Sequence, residues 1–416
     1  MSLRAYRVPA GRTIQPFAEP ARSLTVATET VAEWQERACR AAGFTLVDVP
    51  SVEAVEAPAV FFYDDVFFTP LTLRFFAIEC LRGSEDFALA LPDSAAERAL
   101  GLLDGAIKID GGHRFDLFFL KKNPGPQSRE ALGTRIPPRM LPHRERKIRL
   151  KLPRSGSEGG GAEASLTSEF ACHIRHWIHL LRLSQLAIGG LLLENLRAHP
   201  WKALGVALAA RRSPWAALRR MVFIDETASV HPTASIEASI IGPGAIVRAH
   251  AHVMNSVIGK DVDVGDHAAV VGCTLAERTQ VLRASYFAHC AAMPGATLAN
   301  YKAQLSLFGR DVFLTSSVLL LDAKFESEIR VEHEGRLESI GSKYLGACLG
   351  HRSQLGAGVA LAPGRALPND VVLVGPPGSI AKTMPAHGGP GAMTVRDGRV
   401  VPLDAPLVSV VSDDQT

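Results

Sequence analysis

Residues able to do chemistry are few and scattered along this chain. Cys172, His176 and His179 recur at i, i+4 and i+7, which places one thiol and two imidazoles on a shared face of a helix. Zinc requires three or four such ligands in tetrahedral reach. His173 and the apolar neighbours weigh toward ordinary packing, so no metal site is expected. Asp64 and Asp65 interrupt an apolar, strand-like run, AVFFYDDVFF. From Arg135 to Arg154 eight lysines and arginines accompany one acid, Glu145. That run suits phosphates or anionic lipid, or else forms the solvated flank of the Gly-rich linker SGSEGGGAEAS that follows. A second basic stretch, WKALGVALAARRSPWAALRRM, joins cations to tryptophans and leucines, a mixture that suits peripheral contact with a membrane. The six cysteines form no Cys-x-x-Cys pair, so reduced thiols are expected.

The elements that must position such residues are clearest in the C-terminal half. Three 17-residue segments follow without gaps: SIIGPGAIVRAHAHVMN from Ser239, SVIGKDVDVGDHAAVVG from Ser256 and CTLAERTQVLRASYFAH from Cys273. Apolar residues fall in columns: Ile224, Ile241, Ile258 and Leu275; Val230, Val247, Val264 and Val281; Ile236, Val253, Val270 and Phe287. Spacing within a coil is six, six and five, so each coil has three short strands, each sending one side chain to a common axis. One coil cannot bury that face alone, but stacked coils bury a continuous core. A parallel β-helix follows. Hexads resume from Leu349 as LGHRSQ, LGAGVA, LAPGRA, LPNDVV and LVGPPG. Glycine after Leu or Ile, as at Gly242, Gly259, Gly350 and Gly356, is expected at corners that need backbone freedom. Near 299–342 the register breaks around KFESEIRVEHEGRLES, expected to leave the helix as a loop or arm.

The expected layout is an α/β unit over 1–134, a basic and Gly-rich linker over 135–165 and a helical connector over 166–221, broken at Pro200 and Pro214. The β-helix covers 222–385 and a tail 386–416. VAEWQERACRAAGF reads as an amphipathic helix with Trp34, Ala38 and Ala41 inward and Gly43 as its stop. The chain is 47% hydrophobic and 21% charged with net charge +3, so no global field argues for nucleic acid. Met1 to Pro20 lacks the apolar run of a signal peptide, and Leu183 to Leu193 is too short to span a bilayer. A cytoplasmic location is expected.

Several segments together resemble the bifunctional N-acetylglucosamine-1-phosphate uridylyltransferase/glucosamine-1-phosphate acetyltransferase family. SKYLGACLGHRSQLGAGVALAPGRALPNDVVLVGPPG follows that family's arginine/lysine–Leu-Gly-Ala–Ile-Gly-Asp run and the hexads after it. RHWIHLLRLSQLAI looks like its Arg-Pro-Trp-Asp-Leu-Leu interdomain helix, and PAGRTIQPFAEP like its nucleotide-binding start. The resemblance implies a shortened Rossmann-like nucleotidyltransferase-type domain joined by helices to a left-handed β-helix acyltransferase domain, assembled as a trimer. It also implies nucleotide-sugar and acyl-coenzyme A ligands, with acetyl-CoA and Mg²⁺ as the family's cofactors.

By that resemblance Gly11, Arg22 and Asp65 stand where the family binds nucleotide and metal, and Asn300, Tyr301 and Lys343 where it lines the substrate cleft. The departures weigh against the first activity. The Gly11-Arg12-Thr13 loop is two residues short, Arg22 replaces a lysine, and Cys172 stands at the second metal carboxylate. A neutral thiol is a poor ligand for a hard cation. RTQVLRASYFAH keeps Tyr286 but puts Arg283 at the catalytic histidine, or Ser285 in a shifted alignment. Guanidinium cannot take a proton. His267, in one column with His250, is a candidate relocated base, as are His289 and His351. Two readings stay open: a diverged transferase that binds such ligands at the β-helix, and a non-catalytic scaffold or regulatory subunit.

Overall fold

The computed structural model describes residues 4–83, 85–143, 145–151, 161–376, 379–388 and 391–404. Its first unit is built on a mixed sheet. Strands Thr45–Asp48, Arg4–Val8 and Ala59–Tyr63 run parallel on one side. Gly112–Leu120 runs antiparallel to Ala59–Tyr63 and to Phe87–Pro92, and Pro138–Met140 closes the far edge. Every residue of Ala59–Tyr63 is buried, as a central strand covered on both faces requires. Helix α1 (Val31–Ala42) starts on a Thr30/Glu33 capping box and stops at Gly43 with φ 78°. Its buried stripe is Val31, Trp34, Gln35, Ala38 and Cys39. Ala41, expected inward, is exposed because it falls off the i, i+3, i+4, i+7, i+8 track that starts at Val31.

Helix α2 (Pro70–Arg82), α3 (Ala95–Leu100) and α4 (Arg129–Arg135) complete this unit. Inside the stretch expected as a linker, Arg146–Lys151 pairs antiparallel with Gly161–Leu166. Residues 144 and 152–160, which hold most of the Gly-rich run, lie outside the described residues. Three helices follow: α5 (Trp177–Ala198), α6 (Pro200–Ala210) and α7 (Pro214–Arg220), with Pro200 and Pro214 each opening a helix where its missing N–H is harmless.

From Phe223 onward the chain is a three-walled prism of parallel strands, and the expected columns are the observed ones. Val247 pairs with Val264 and Val264 with Val281, and the other two columns hold the same one-to-one register. Their side chains form one buried core through all coils. Ile224, at the open end, is half exposed because no coil lies before it. The register break expected from 299 does not begin there. Leu307–Phe308 and Phe313–Leu314 still pair with the coil before. Inward spacing from Val281 to Phe287 is six, but from Leu298 to Ala303 it is five, so a single shortened corner hid the continuing coil. Only after Leu320 does the arm leave, as a hairpin of Arg330–His333 with Arg336–Ser339. Residues 392–402, expected as tail, extend one wall with a further hairpin.

The corner glycines have a different cause from the one expected. Gly242 and Gly259 keep ordinary φ; a Cβ on Gly259 would sit 2.8 Å from the Leu275 carbonyl oxygen of the next coil. Close approach, not backbone freedom, selects them. A second corner carries a ladder the sequence reading missed. Ser239, Ser256, Cys273 and Cys290 stack, and each side chain accepts the N–H of the residue above: Ser256 N to Ser239 Oγ at 3.1 Å, Cys273 N to Ser256 Oγ at 3.1 Å and Cys290 N to Cys273 Sγ at 3.3 Å. Each also donates to the carbonyl two residues back. Ser256→Ala therefore strands a buried N–H and is expected to cost about 1–3 kcal/mol in urea unfolding. Ser256→Cys, which copies the next rung, is expected to cost much less; equal losses would count against the ladder.

Candidate functional site

Parallel strands Arg4–Val8 and Ala59–Tyr63 end side by side, and open α/β sheets hold ligands in the crevice beyond such ends. The 9–20 loop leaves the first strand, and Asp64 and Asp65 leave the second. Ala10 N–H donates to Asp64 Oδ1 at 2.8 Å, which pins the loop. Gly11, exposed at φ 70°, turns it. Arg22 is half exposed, 3.8 Å from Asp64 Oδ2 and 3.9 Å from Asp48 Oδ1. Burial pushes the Asp64 carboxyl above its ordinary value. Arg12 reaches the arm at Glu334, 3.5 Å away.

Behind this rim lies a buried charge network. Asp65 Oδ2 accepts from Arg129 Nη1 at 2.8 Å and lies 3.1 Å from Arg175 Nη1. Arg129 Nε donates to Asp116 Oδ2 at 2.6 Å, and Arg114 Nη2 to Asp116 Oδ1 at 3.3 Å. Burial alone would raise the Asp116 carboxyl, but these guanidinium groups hold it below the usual range. His173 Nε2 lies 3.4 Å from Asp116 Oδ2, yet the same nitrogen accepts the Asp116 N–H at 2.9 Å. Its ring is neutral, and burial lowers its pKa to about 4.

The family resemblance implies Mg²⁺ here, and the residues do not fit it. Asp65 carries two guanidinium groups on one oxygen, while Oδ1 is buried without a hydrogen-bond partner. A dication approaching Oδ1 meets both cations; at roughly 5 Å and an effective dielectric of about 20, each unit-charge repulsion costs about 3 kcal/mol. Cys172 is buried, its thiol pushed well above its ordinary value by burial, and Sγ faces the Leu100 and His173 carbonyls.

The expected helix face of Cys172, His176 and His179 does not form, because Cys172 lies on strand Ala171–His173 and the helix begins only at Trp177. His176 caps α5 by accepting Ile178 N–H, and its Nε2 faces the Glu332 carbonyl of the arm. His179 Nδ1 accepts from the Arg175 and His176 backbone, and Nε2 bonds Leu102 O at 2.7 Å. Burial lowers their pKa values to about 3 and about 4.

On the β-helix, His267 is exposed and stacks on His250 at 4.9 Å between ring centroids. Tyr286 lies on the adjoining wall one coil later, paired with Ala269, and Arg283 is exposed at the corner before it. Tyr301 is exposed on the shortened corner. Asn300, expected at a cleft, is buried: Nδ2 donates to Val318 O at 3.1 Å and Oδ1 accepts from Lys302 N at 2.9 Å. Its amide is spent on backbone. Lys343 sits on the arm, donating to Phe325 O at 3.2 Å. His351 is no wall-facing base; it is buried against Phe17, and Nδ1 accepts Arg310 N–H. The sequence reading missed Arg129 and Asp116. An acid inside the apolar run RFDLFFL was the available signal, since a buried charge demands a partner.

No family model matches the chain, and no curated protein matches it. Solved structures are similar to part of it, two among them as follows. One is the polysialic acid O-acetyltransferase OatWY, at 13% identity and TM-score 0.20, covering 46% of this chain and 92% of that one. The other is a mutant of perosamine N-acetyltransferase from Caulobacter crescentus in complex with CoA and GDP-perosamine. It is 17% identical at TM-score 0.14, and the match covers 44% of this chain and 62% of that one, less than two thirds.

Arg129→Met leaves two buried carboxylates short of a counter-charge and is expected to cost about 3–5 kcal/mol in chemical unfolding. Arg129→Lys should recover only part, because one ammonium cannot bridge both. The buried histidines set a pH dependence. Unfolded imidazoles titrate near 6.5, above the folded values, so the unfolded chain takes up protons first as pH falls. Stability is complete above about pH 6.5 and drains as pH falls toward about 4. Tm by circular dichroism is expected to fall from about pH 7 to about pH 5, with a shallower slope in His179→Gln. A flat profile would contradict the buried neutral rings.

Proposed function

We infer that this chain is a diverged homologue of the sugar-nucleotide transferases. In this reading it binds a nucleotide sugar or an acyl-coenzyme A against the β-helix wall and has lost metal-dependent nucleotidyl transfer. The observation that carries the inference is the pair of arginines on Asp65: the carboxylate that resembles the family's metal ligand is already neutralised by Arg129 and Arg175. The left-handed sense of the coil belongs to the same reading. So does assembly into a trimer, supported by Ile246, Leu282, Phe313 and Leu319, which stand exposed along the walls.

Acyl transfer at the wall would proceed by attack of a sugar amine on the thioester carbonyl. The C–S bond breaks, coenzyme A thiolate leaves, and the amine proton passes to a base. His267 is the side chain assigned to that role, exposed and stacked on His250. Arg283, permanently charged, suits a ligand phosphate rather than the proton. Tyr286, on the wall one coil after His267, and Tyr301, on the shortened corner, offer exposed aromatic surface.

The scaffold reading is favoured by one observation: Asn300 is buried, with Nδ2 and Oδ1 each turned to backbone and away from any cleft. One experiment separates the two. Purified protein is incubated with acetyl-coenzyme A and a panel of amino sugars while free thiol is followed, and Tm is read with coenzyme A and a uridine diphosphate sugar, with and without chelator. The transferase reading expects thiol release lowered at least tenfold in His267→Asn, and a ligand-induced Tm rise that chelator leaves unchanged. Absence of both turnover and Tm shift would leave the scaffold. A Tm shift that requires Mg²⁺ would overturn the assignment of Asp65.

A further inference from the structure

We propose that the α6–α7 hairpin is a docking element for the surface of an anionic lipid bilayer. Its acyl-facing side is made by Trp201, Leu204, Leu208 and Trp215, and the cations beside them take lipid phosphates. This surface is separate from the crevice and from the β-helix wall.

The sequence of the hairpin is one-sided. Between residues 195 and 224 there is no Asp or Glu, while Arg197, Lys202, Arg211, Arg212, Arg219 and Arg220 are all basic. Within α6 Lys202 is the one charged residue. A helix apolar on every side normally lies in a core or against lipid. This one does neither within the chain: among its residues Ala209 alone is buried. Trp201 is 84% exposed, Leu204 51% and Leu208 50%, and their i, i+3, i+7 spacing puts them on one face. Trp215 is 62% exposed. Tryptophan prefers the level of the headgroups, where its ring is half apolar and half wet.

The opposite side of the hairpin is already satisfied. Leu218 and Met221 pack on Ile188, Leu192 and Phe223, and Leu218 O accepts Ala238 N–H from the first coil. Arg220 Nη1 donates to Gly205 O at 3.2 Å, Lys202 donates to Val222 O, and Lys202 Nζ lies 4.5 Å from the Phe223 ring centre. These bonds hold α6 against α7 and leave the tryptophan face outward. Between the helices Lys202, Gly205, Arg219, Arg220 and Val222 line a cavity of about 370 Å³, roomy for a phosphate group. Arg219 is partly engaged by Glu237 at 3.3 Å. Trp215 and Arg219 are four residues apart on α7, so the aromatic and cationic surfaces adjoin.

Charge selects the occupant. A second copy of this chain docked on the same face would bring Arg211 and Arg212 at the tip, and the other cations beside them, against their like. A soluble polyanion would engage the cations but give no reason for exposed Trp201, Leu204 and Leu208. An anionic bilayer meets both demands, and the length of α6, eleven residues, restricts it to lying in the interface. No helix among the described residues is long and apolar enough to cross a membrane.

The test uses the full chain and sucrose-loaded vesicles of phosphatidylcholine with or without phosphatidylglycerol. Co-sedimentation is expected only with the anionic vesicles, falling about fivefold for each of Arg211→Gln and Arg212→Gln at the tip. Trp201→Ala/Trp215→Ala is expected to abolish it at unchanged Tm, since both side chains are mostly exposed. Failure to sediment with anionic vesicles overturns the proposal. So does binding that the double tryptophan variant retains, which would mark a purely ionic surface for a soluble polyanion. Self-association in sedimentation velocity that disappears in the same variant would assign the face to a second copy and overturn it as well.

Discussion

A stacked coil has to bury a continuous apolar axis, and most of this chain is arranged around that requirement. Each turn of the prism supplies one inward residue per wall and borrows the rest of its environment from the turns beside it. The ladder is therefore strongest in its middle and exposed at its ends. At the start, α7 and the end of α5 close over Phe223 and Ala238. At the finish, the 392–402 hairpin adds two strands to one wall, covering the edge of Val372–Leu373. The Ser/Cys rungs do the same for polar groups: they pair N–H groups at a corner where the wall ladders give them no partner.

The first unit solves a different problem, that of carboxylates on the end of a buried strand. Asp65 and Asp116 cannot stay ionised inside without counter-charge. Three guanidinium groups from three separate elements supply it: Arg114 from the sheet, Arg129 from the start of α4 and Arg175 from the approach to α5. Stability and site chemistry thus depend on the same atoms. Arg129 and Arg175 both lie on Asp65 Oδ2, so charge balance here is reached by the chain's own side chains.

The columns of Val247, Val264 and Val281 were legible because a period of 17 leaves little room for accident, and they are paired one to one. Counting failed where one residue was missing. The shortened corner after Leu298 moved every later inward position, and four further strands of the prism read as insertion. The histidines failed for another reason. Spacing implies a shared face only inside a continuous helix, and the helix begins at Trp177, after Cys172 has already been taken by a strand. Arg129 gave no local sign at all. A surface-looking arginine at the start of a short helix finds its carboxylates 13 and 64 residues away, and nothing in its neighbourhood encodes that.

The two units are not independent carriers joined by helices. Phe17, at the turn of the 9–20 loop, is buried in a core that also contains Trp177, Ile329, Leu345 and Cys348. Its carbonyl accepts from Asn369, its ring lies 4.8 Å from His351, and Arg310 bonds both Glu19 and Ser23 O. Those partners belong to the late coils and the arm. The loop that carries Gly11 and Arg12 is therefore shaped by the β-helix at one end and by Asp64 through Ala10 at the other. A conformational change at the crevice has to disturb packing on the prism. The shared core therefore couples the two units: a close-packed interior transmits a shift of the 9–20 loop to the late coils, and a shift of the coils to the loop.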